Sequence, residues 1–318
     1  MFDSSKLNYK KGNDCLQTRV RHPRTVMPNF ALYCDWIIWD RRHLYVDFNS
    51  SPKTIYVRSE INALNYFIST VLGNIKSSFI LITSSHDTPM PIGFQKSFNL
   101  NWEVIVDNKY LKVWFTENRD LIHEKIKPIP LGIPHPDLPS WVENDSLPAV
   151  WGDDFSEKVQ SFRNTDRLFK IFGCWYPRIN HPSGTCPEDN NERQMAYESL
   201  IGKKDIFDWY PPGMSRLEFI QRMGSYKFVL CPHGGGLDPN PKCWEALLMG
   251  AIPIVKRNSM TESLEHLPIA FVDDWPEITP TKLVQWEEAC RSGLQGGNLD
   301  YLMSNAYFFN KIIKCLEE

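Results

Sequence analysis

Residues 228–248 read FVLCPHGGGLDPNPKCWEALL, an apolar strand, a glycine-rich loop and then a helix. Gly234, Gly235 and Gly236 let the backbone approach a ligand closely. The helix behind them offers unpaired N–H groups to an anion, and Pro241 suits its first turn. Lys242 adds a positive charge at that helix end, and His233 and Asp238 add hydrogen-bonding groups to the loop. This combination fits a phosphate-bearing ligand better than a plain tight turn. Glu245 reads two ways. It lies off the face made by Trp244, Leu247 and Leu248, which suits a ligand contact rather than core, but the helix dipole alone also favours an acid in a first turn.

Two other motifs share features with this loop. An esterase oxyanion loop also carries His-Gly-Gly-Gly, but it requires a later G-x-S-x-G elbow, which the chain lacks. A dinucleotide fingerprint requires G-x-G-x-x-G in the first β-α unit, whereas here Pro239 takes the third glycine position, after a third strand.

The elements that must position this loop alternate between strand and helix. The apolar run 78–83 (SFILIT) predicts a strand buried on both faces. Further strands are expected at 54–57, 104–106, 113–115 and 126–131, and a helix at 60–75 from the spacing of Ile61, Leu64, Ile68 and Leu72. Five prolines in residues 128–139 mark the exit from a first domain, with a linker running to about 165. Beyond it, strands at 168–172, 205–210, 227–231, 252–255 and 270–272 alternate with helices at 191–200, 215–223, 242–249, 261–267 and 281–289. A final helix over 299–316 follows Gly296-Gly297 and is free to pack on the first domain. The expectation is an α/β protein: an N-terminal Rossmann-like domain (1–150), a C-terminal one (151–298) and a C-terminal helix (299–318), with a cleft between the domains.

Composition narrows the function. The chain has 318 residues, a net charge of −3 and no strongly basic run, which argues against a nucleic-acid partner. Eleven Trp, 18 Phe and 12 Tyr argue against disorder. The eight cysteines form no CxxC and suit a reducing compartment. No signal peptide or transmembrane run is evident, so a soluble, cytoplasmic protein is expected.

The stretch CPHGGGLDPNPKCWEALLMGAIPIV at 231–255 resembles the signature of exostosin-like glycosyltransferases, in which an F-x-L-x-P-x-G strand and loop precede a W-E-A-L helix and a G-x-I-P-I strand. Residues 168–173 with Arg193 downstream, and 114–118 followed by 129–133, are similar to further family elements. The resemblance spans about 168–275, is patchy over 78–135 and is absent from the first 50 residues. It implies a GT-B fold, with a nucleotide-sugar donor on the second domain and an oligosaccharide or glycoprotein-glycan acceptor on the first. It further implies inversion at the anomeric carbon with no obligatory metal, and the chain has no Asp-x-Asp. Two features depart from the family. The family commonly has an arginine shortly before the W-E-A-L helix, whereas this chain has Lys242 after an extra residue or two, and the membrane anchor of Golgi members is missing, which suits a microbial or viral enzyme acting in the cytoplasm, a host's in the viral case.

Under that resemblance Arg193 is the leading cation for the diphosphate and Arg178 the runner-up, with Gly173 ending the strand before them. Glu245 takes the ribose hydroxyls, and His233 and Asp238 contact sugar or diphosphate. Trp209 and Tyr210 either flank the base or are ordinary core. An inverting transfer needs a general base at a strand end of the first domain. Asp87 is chosen, with His86 as alternative and Asp35, Asp40 and Asp107 behind them. The donor is expected to be a UDP-sugar, with xylose chosen among the sugars that related enzymes use. Two other readings stay open: a non-catalytic nucleotide-sugar or carbohydrate binder, and a sugar-nucleotide-modifying Rossmann enzyme.

Overall fold

The computed structural model describes residues 30–39, 44–132, 166–177, 191–296 and 298–317. Arg178, Asp40 and the linker from 133 to 165 lie outside them. The first sheet contains β1 (Trp36–Ile38), β2 (Leu44–Tyr45), β3 (Thr54–Arg58), β4 (Phe79–Ser84), β5 (Leu111–Thr116) and β6 (Ile126–Pro128). Its order is β2-β1-β3-β4-β5-β6; β2 alone is antiparallel, pairing with β1. The second sheet contains β7 (Leu168–Gly173), β8 (Phe207–Trp209), β9 (Tyr226–Leu230), β10 (Ile252–Lys256) and β11 (Ala270–Val272). Its strands are all parallel, in the order β11-β10-β9-β7-β8. The chain reverses direction across that sheet between β7 and β9, so the crevice beyond their carboxyl ends is where a doubly wound sheet takes its ligand.

The helices, in chain order, are α1 (Ile61–Tyr66), α2 (Ile92–Phe98), α3 (Glu103–Val106), α4 (Glu192–Leu200), α5 (Arg216–Gly224), α6 (Pro241–Leu248), α7 (Pro280–Gln295), α8 (Leu299–Leu302) and α9 (Asn305–Lys314). Alternation along the strands gives each sheet two apolar faces. In the first sheet Ile38, Ile55, Val57, Leu81 and Trp114 pack under α1 and α2. Ile37, Tyr56, Ile80, Ile82 and Phe115 instead join a core shared with the second unit, which includes Trp244 and Leu247 of α6. Phe308 and Ile312 of α9 belong to that same core, and α9 packs on the turn Phe30–Tyr33. The C-terminal helix therefore crosses back to the first unit.

Four elements differ from expectation. Residues 104–106 form the short helix α3 instead of a strand. Burial of Ile105 and Val106, with Glu103 tied to Gln95 of α2 at 3.2 Å, outweighs the β-branched preference. The helix expected at 60–75 holds α-geometry only to Tyr66, then widens over Phe67–Val71 and tightens over Leu72–Asn74, keeping Phe67, Val71 and Leu72 buried. Residues 261–267 give only the turn Thr261–Ser263, because Asn258 closes the segment on itself through Met260 N (2.8 Å) and Thr261 Oγ1 (2.9 Å). The expected helix at 299–316 is two helices, the second capped by Ser304 Oγ, which accepts the Tyr307 N–H at 3.2 Å.

Candidate functional site

The glycine loop leaves β9 at the crevice of the second sheet. Asn240 caps α6 from a left-handed conformation (φ 67°), its Oδ1 accepting the Lys242 N–H at 2.9 Å and its Nδ2 donating to Pro232 O at 2.7 Å. That pair of bonds fixes the loop's chord and aims the N-terminus of α6 along it. Gly234 and Gly236 are there for close approach. A Cβ on Gly234 would stand 2.7 Å from Nη2 of Arg193, and one on Gly236 would stand 2.3 Å from Oδ1 of Asn118. Gly235 is half-buried at the loop crest. Gly173 serves packing, since a Cβ there would meet the Phe207 ring at 2.4 Å.

Arg193 begins α4 and lies half-buried against the loop, its Nε donating to His233 O at 3.2 Å. Trp175 Nε1 holds the Arg193 carbonyl at 3.0 Å. Burial brings the guanidinium down to about 10, partly offset by the charge of Asp87, so it remains a cation at neutral pH. Next to it, Glu192 is buried and reaches Lys256 Nζ at 3.4 Å, tying α4 to the end of β10.

Lys242 is buried, and its ammonium turns inward. It donates to Cys174 O at 3.0 Å and Leu230 O at 3.5 Å, and sits 4.8 Å above the Trp175 ring. It thus joins the carboxyl ends of β7 and β9 directly beneath the crevice. Burial, with Arg193 as a like charge, lowers it to about 8, while Cys231, Cys174 and Glu245 act in the opposite direction. Glu245 is only 2% exposed, which corrects the expectation that it lies off the core; α6 is enclosed on all sides from Lys242 to Leu248. His233 is also buried, and its Nδ1 has no hydrogen-bond partner among the described residues.

Asp238 closes the loop. Its Oδ2 accepts the Leu131 N–H at 2.8 Å, which brings the proline-rich exit of the first unit onto the loop, while Oδ1 is buried without a partner among the described residues. Burial raises this carboxyl to about 7 and the charge of Asp87 adds to the rise, against hydrogen bonds from the Leu131 and Asn240 backbone.

Asp87 is exposed, three residues beyond β4, and its charge is felt by both Arg193 and Asp238. Asp87 thus lies within electrostatic reach of two residues at the glycine loop. His86 is held by its surroundings: Nδ1 accepts the Thr88 N–H at 2.9 Å and the ring packs edge-on to Phe94 at 5.3 Å. Asp35 stands at the opposite edge of the sheet, accepting from Lys53 N and Thr54 N, and Asp107 is exposed after α3. Trp209 packs edge-on to Trp175 (4.7 Å) and Tyr197 (4.8 Å), and Tyr210 joins Tyr226 through their hydroxyls at 2.7 Å, the arrangement of packed aromatics.

Two residues that join the halves were not singled out from the sequence. Asn118, buried at φ 51°, accepts the N–H groups of Leu237 (2.8 Å) and Asp238 (3.0 Å) on Oδ1 and donates from Nδ2 to His86 O at 2.8 Å. One side chain thus links the loop carrying Asp87 to the glycine loop. Arg119, also buried, donates to Ser259 O (3.0 Å) and pairs with Glu262 (3.2 Å), while Ser259 Oγ donates back to Arg119 O. The signal for Asn118 was its place in the 114–118 element with family resemblance; nothing local marked Arg119.

No family model matches the chain, so the exostosin-like resemblance rests on the quoted residues, and no curated protein matches it in sequence. Among solved structures the chain is similar to Anabaena HepE, crystallised with UDP and glucose, at 14% identity and a TM-score of 0.42 over 83% of this chain and 77% of that one. It is also similar to an α1,3-fucosyltransferase at 12% identity and a TM-score of 0.34, over 96% and 88% of the two chains. Likeness at this level says nothing of substrate, and the chemistry of the cleft has to come from its own side chains. No helix among the described residues is long and apolar enough to cross a membrane.

Proposed function

We propose that the protein is an inverting glycosyltransferase that moves a sugar from a UDP-sugar to a hydroxyl of an oligosaccharide or glycoprotein glycan. The observation that carries this reading is the bridge by which Asn118 ties the loop bearing Asp87 to the glycine loop, with the Asp87 charge felt by Arg193 across the two units. A diphosphate seated on residues 234–238 would meet Arg193, the N-terminus of α6 and, beneath it, the charge of Lys242. Together these offset the negative charge that grows on the leaving group, with no obligatory metal.

In the step itself, an acceptor hydroxyl oxygen forms a bond to the anomeric carbon as the bond from that carbon to the β-phosphate oxygen breaks. UDP departs with the bonding electrons, and the hydroxyl proton goes to Asp87. Attack from the face opposite the diphosphate inverts the centre. Glu245 is assigned the ribose, His233 and Asp238 the sugar or diphosphate, and Arg178 a second cation. Xylose is the sugar we assign.

The test is thermal stabilisation by UDP, GDP, CDP and their sugars, with and without EDTA, followed by turnover. UDP and UDP-xylose should stabilise the protein without added metal, and Asp87→Asn should abolish transfer while keeping the UDP-induced shift. Absence of a shift with every nucleotide, or full activity in Asp87→Asn, overturns the assignment. Stabilisation without transfer or donor hydrolysis would instead identify a binder.

A further inference from the structure

The donor side leaves unexplained a group of residues on the first sheet. Strands β1, β3 and β4 are parallel neighbours, with Ile38 beside Val57 and Arg58 beside Ser84, so their carboxyl ends share one edge. By alternation Trp39, Tyr56, Arg58 and Ser84 share one face of it. The Trp39 and Tyr56 rings lie nearly parallel, 14° apart with centroids at 6.1 Å. The Arg58 guanidinium stands 5.1 Å above the indole. The Tyr56 hydroxyl is shared between Ser84 Oγ (2.8 Å) and Ser85 Oγ (3.2 Å), and Ser85, at φ 76°, is held by its N–H to Glu117 Oε2 at 2.8 Å. Asp87 follows two residues later.

Trp39, Arg58 and Ser85 are each half-buried, so this is a ledge and not core. Arg58 has no acidic partner among the described residues, and its Nε is screened from water with no hydrogen bond. A partly desolvated guanidinium without a counter-charge is costly, and its planar fork matches a carboxylate or phosphate. The indole supplies a flat apolar surface for a sugar ring beside it.

We propose that Trp39, Arg58 and Ser85 form the acceptor subsite, and that the acceptor is an anionic glycan whose carboxylate or phosphate is held by Arg58. This rests on the transferase reading above. It adds that the acceptor is charged and that Arg58 recognises the charge.

The experiment measures binding by calorimetry, and transfer from UDP-xylose, with three probes: a neutral disaccharide, the same core ending in glucuronate, and its 6-phosphate. The native protein should bind at least one anionic probe tenfold or more tightly than the neutral one, and the better of the two identifies the source of the charge. Arg58→Gln should erase that preference through KM while retaining the UDP-induced thermal shift, Arg58→Lys should restore part of it, and Trp39→Ala should weaken all three probes alike. Equal binding of charged and neutral probes, binding of none, or a preference that survives Arg58→Gln overturns the proposal. Calorimetry without donor separates the two readings. Arg58-dependent anion preference with no response to UDP would sink the transferase reading and leave the subsite standing.

Discussion

Replacing Asp238 by Asn tests whether the cleft holds a proton as its burial implies. The native carboxyl sits at about 7, against about 3.9 in an unfolded chain. Between those values the folded protein binds more protons than the unfolded one, so stability must fall as pH rises through this window, and the loss is complete above it. Integrating the linkage gives a cost from this one group on the order of 1–2 kcal/mol at pH 5 and about 4 kcal/mol at pH 8. The wild type therefore loses roughly 2–3 kcal/mol between these pH values that the Asp238→Asn variant does not. The amide oxygen can still accept the Leu131 N–H. An amide N–H₂ placed where Oδ1 has no partner adds about 1–3 kcal/mol of its own, but that penalty is independent of pH. The diagnostic is thus the slope. Urea unfolding of both proteins at pH 5, 6, 7 and 8 supplies it, and contributions from other groups, such as the half-buried His266, cancel in the difference. Parallel curves for the two proteins would refute the electrostatic account of this cleft.

Gly236→Ala and Gly234→Ala should part company: the first drives a Cβ into Asn118 and should cost about 1–3 kcal/mol in chemical denaturation. The second meets the far end of a flexible arginine, so it should lose UDP affinity in calorimetry with little change in stability. Asn118→Ala orphans the buried N–H groups of Leu237 and Asp238 and should destabilise by about 2 kcal/mol or more; an unchanged midpoint would show that the bridge contributes nothing. Arg193→Lys keeps a charge but not the planar fork, so it should weaken UDP tenfold or more in the same titration while leaving the melting temperature near that of the wild type.

Much of this was legible in the chain. The run at 78–83 had to be a strand buried on both faces, and the alternation beyond residue 168 had to give a parallel sheet, because buried parallel strands carry continuous apolar runs and need helical crossovers. The glycine loop was legible for a similar local reason: close backbone approach needs glycine, and a helix start with Pro at its first position is written in adjacent residues.

What tertiary structure decided is whatever depends on residues far apart in sequence. Val104, Ile105 and Val106 favour a strand, yet burial of Ile105 and Val106 beneath the first sheet makes them helix. Glu245 looked peripheral to its own helix, but packing on every side of α6 buried it. Asn118 and the glycine loop are 119 residues apart, and Arg119 and Ser259 are 140 apart. No local pattern records such a pairing, because its free energy comes from satisfying buried N–H and guanidinium groups that are hidden only once the two sheets have met. The sequence determined two α/β units and the chemistry each could carry. Only their packing set the loop bearing Asp87 and the glycine loop on the one side chain of Asn118, which joins the two halves.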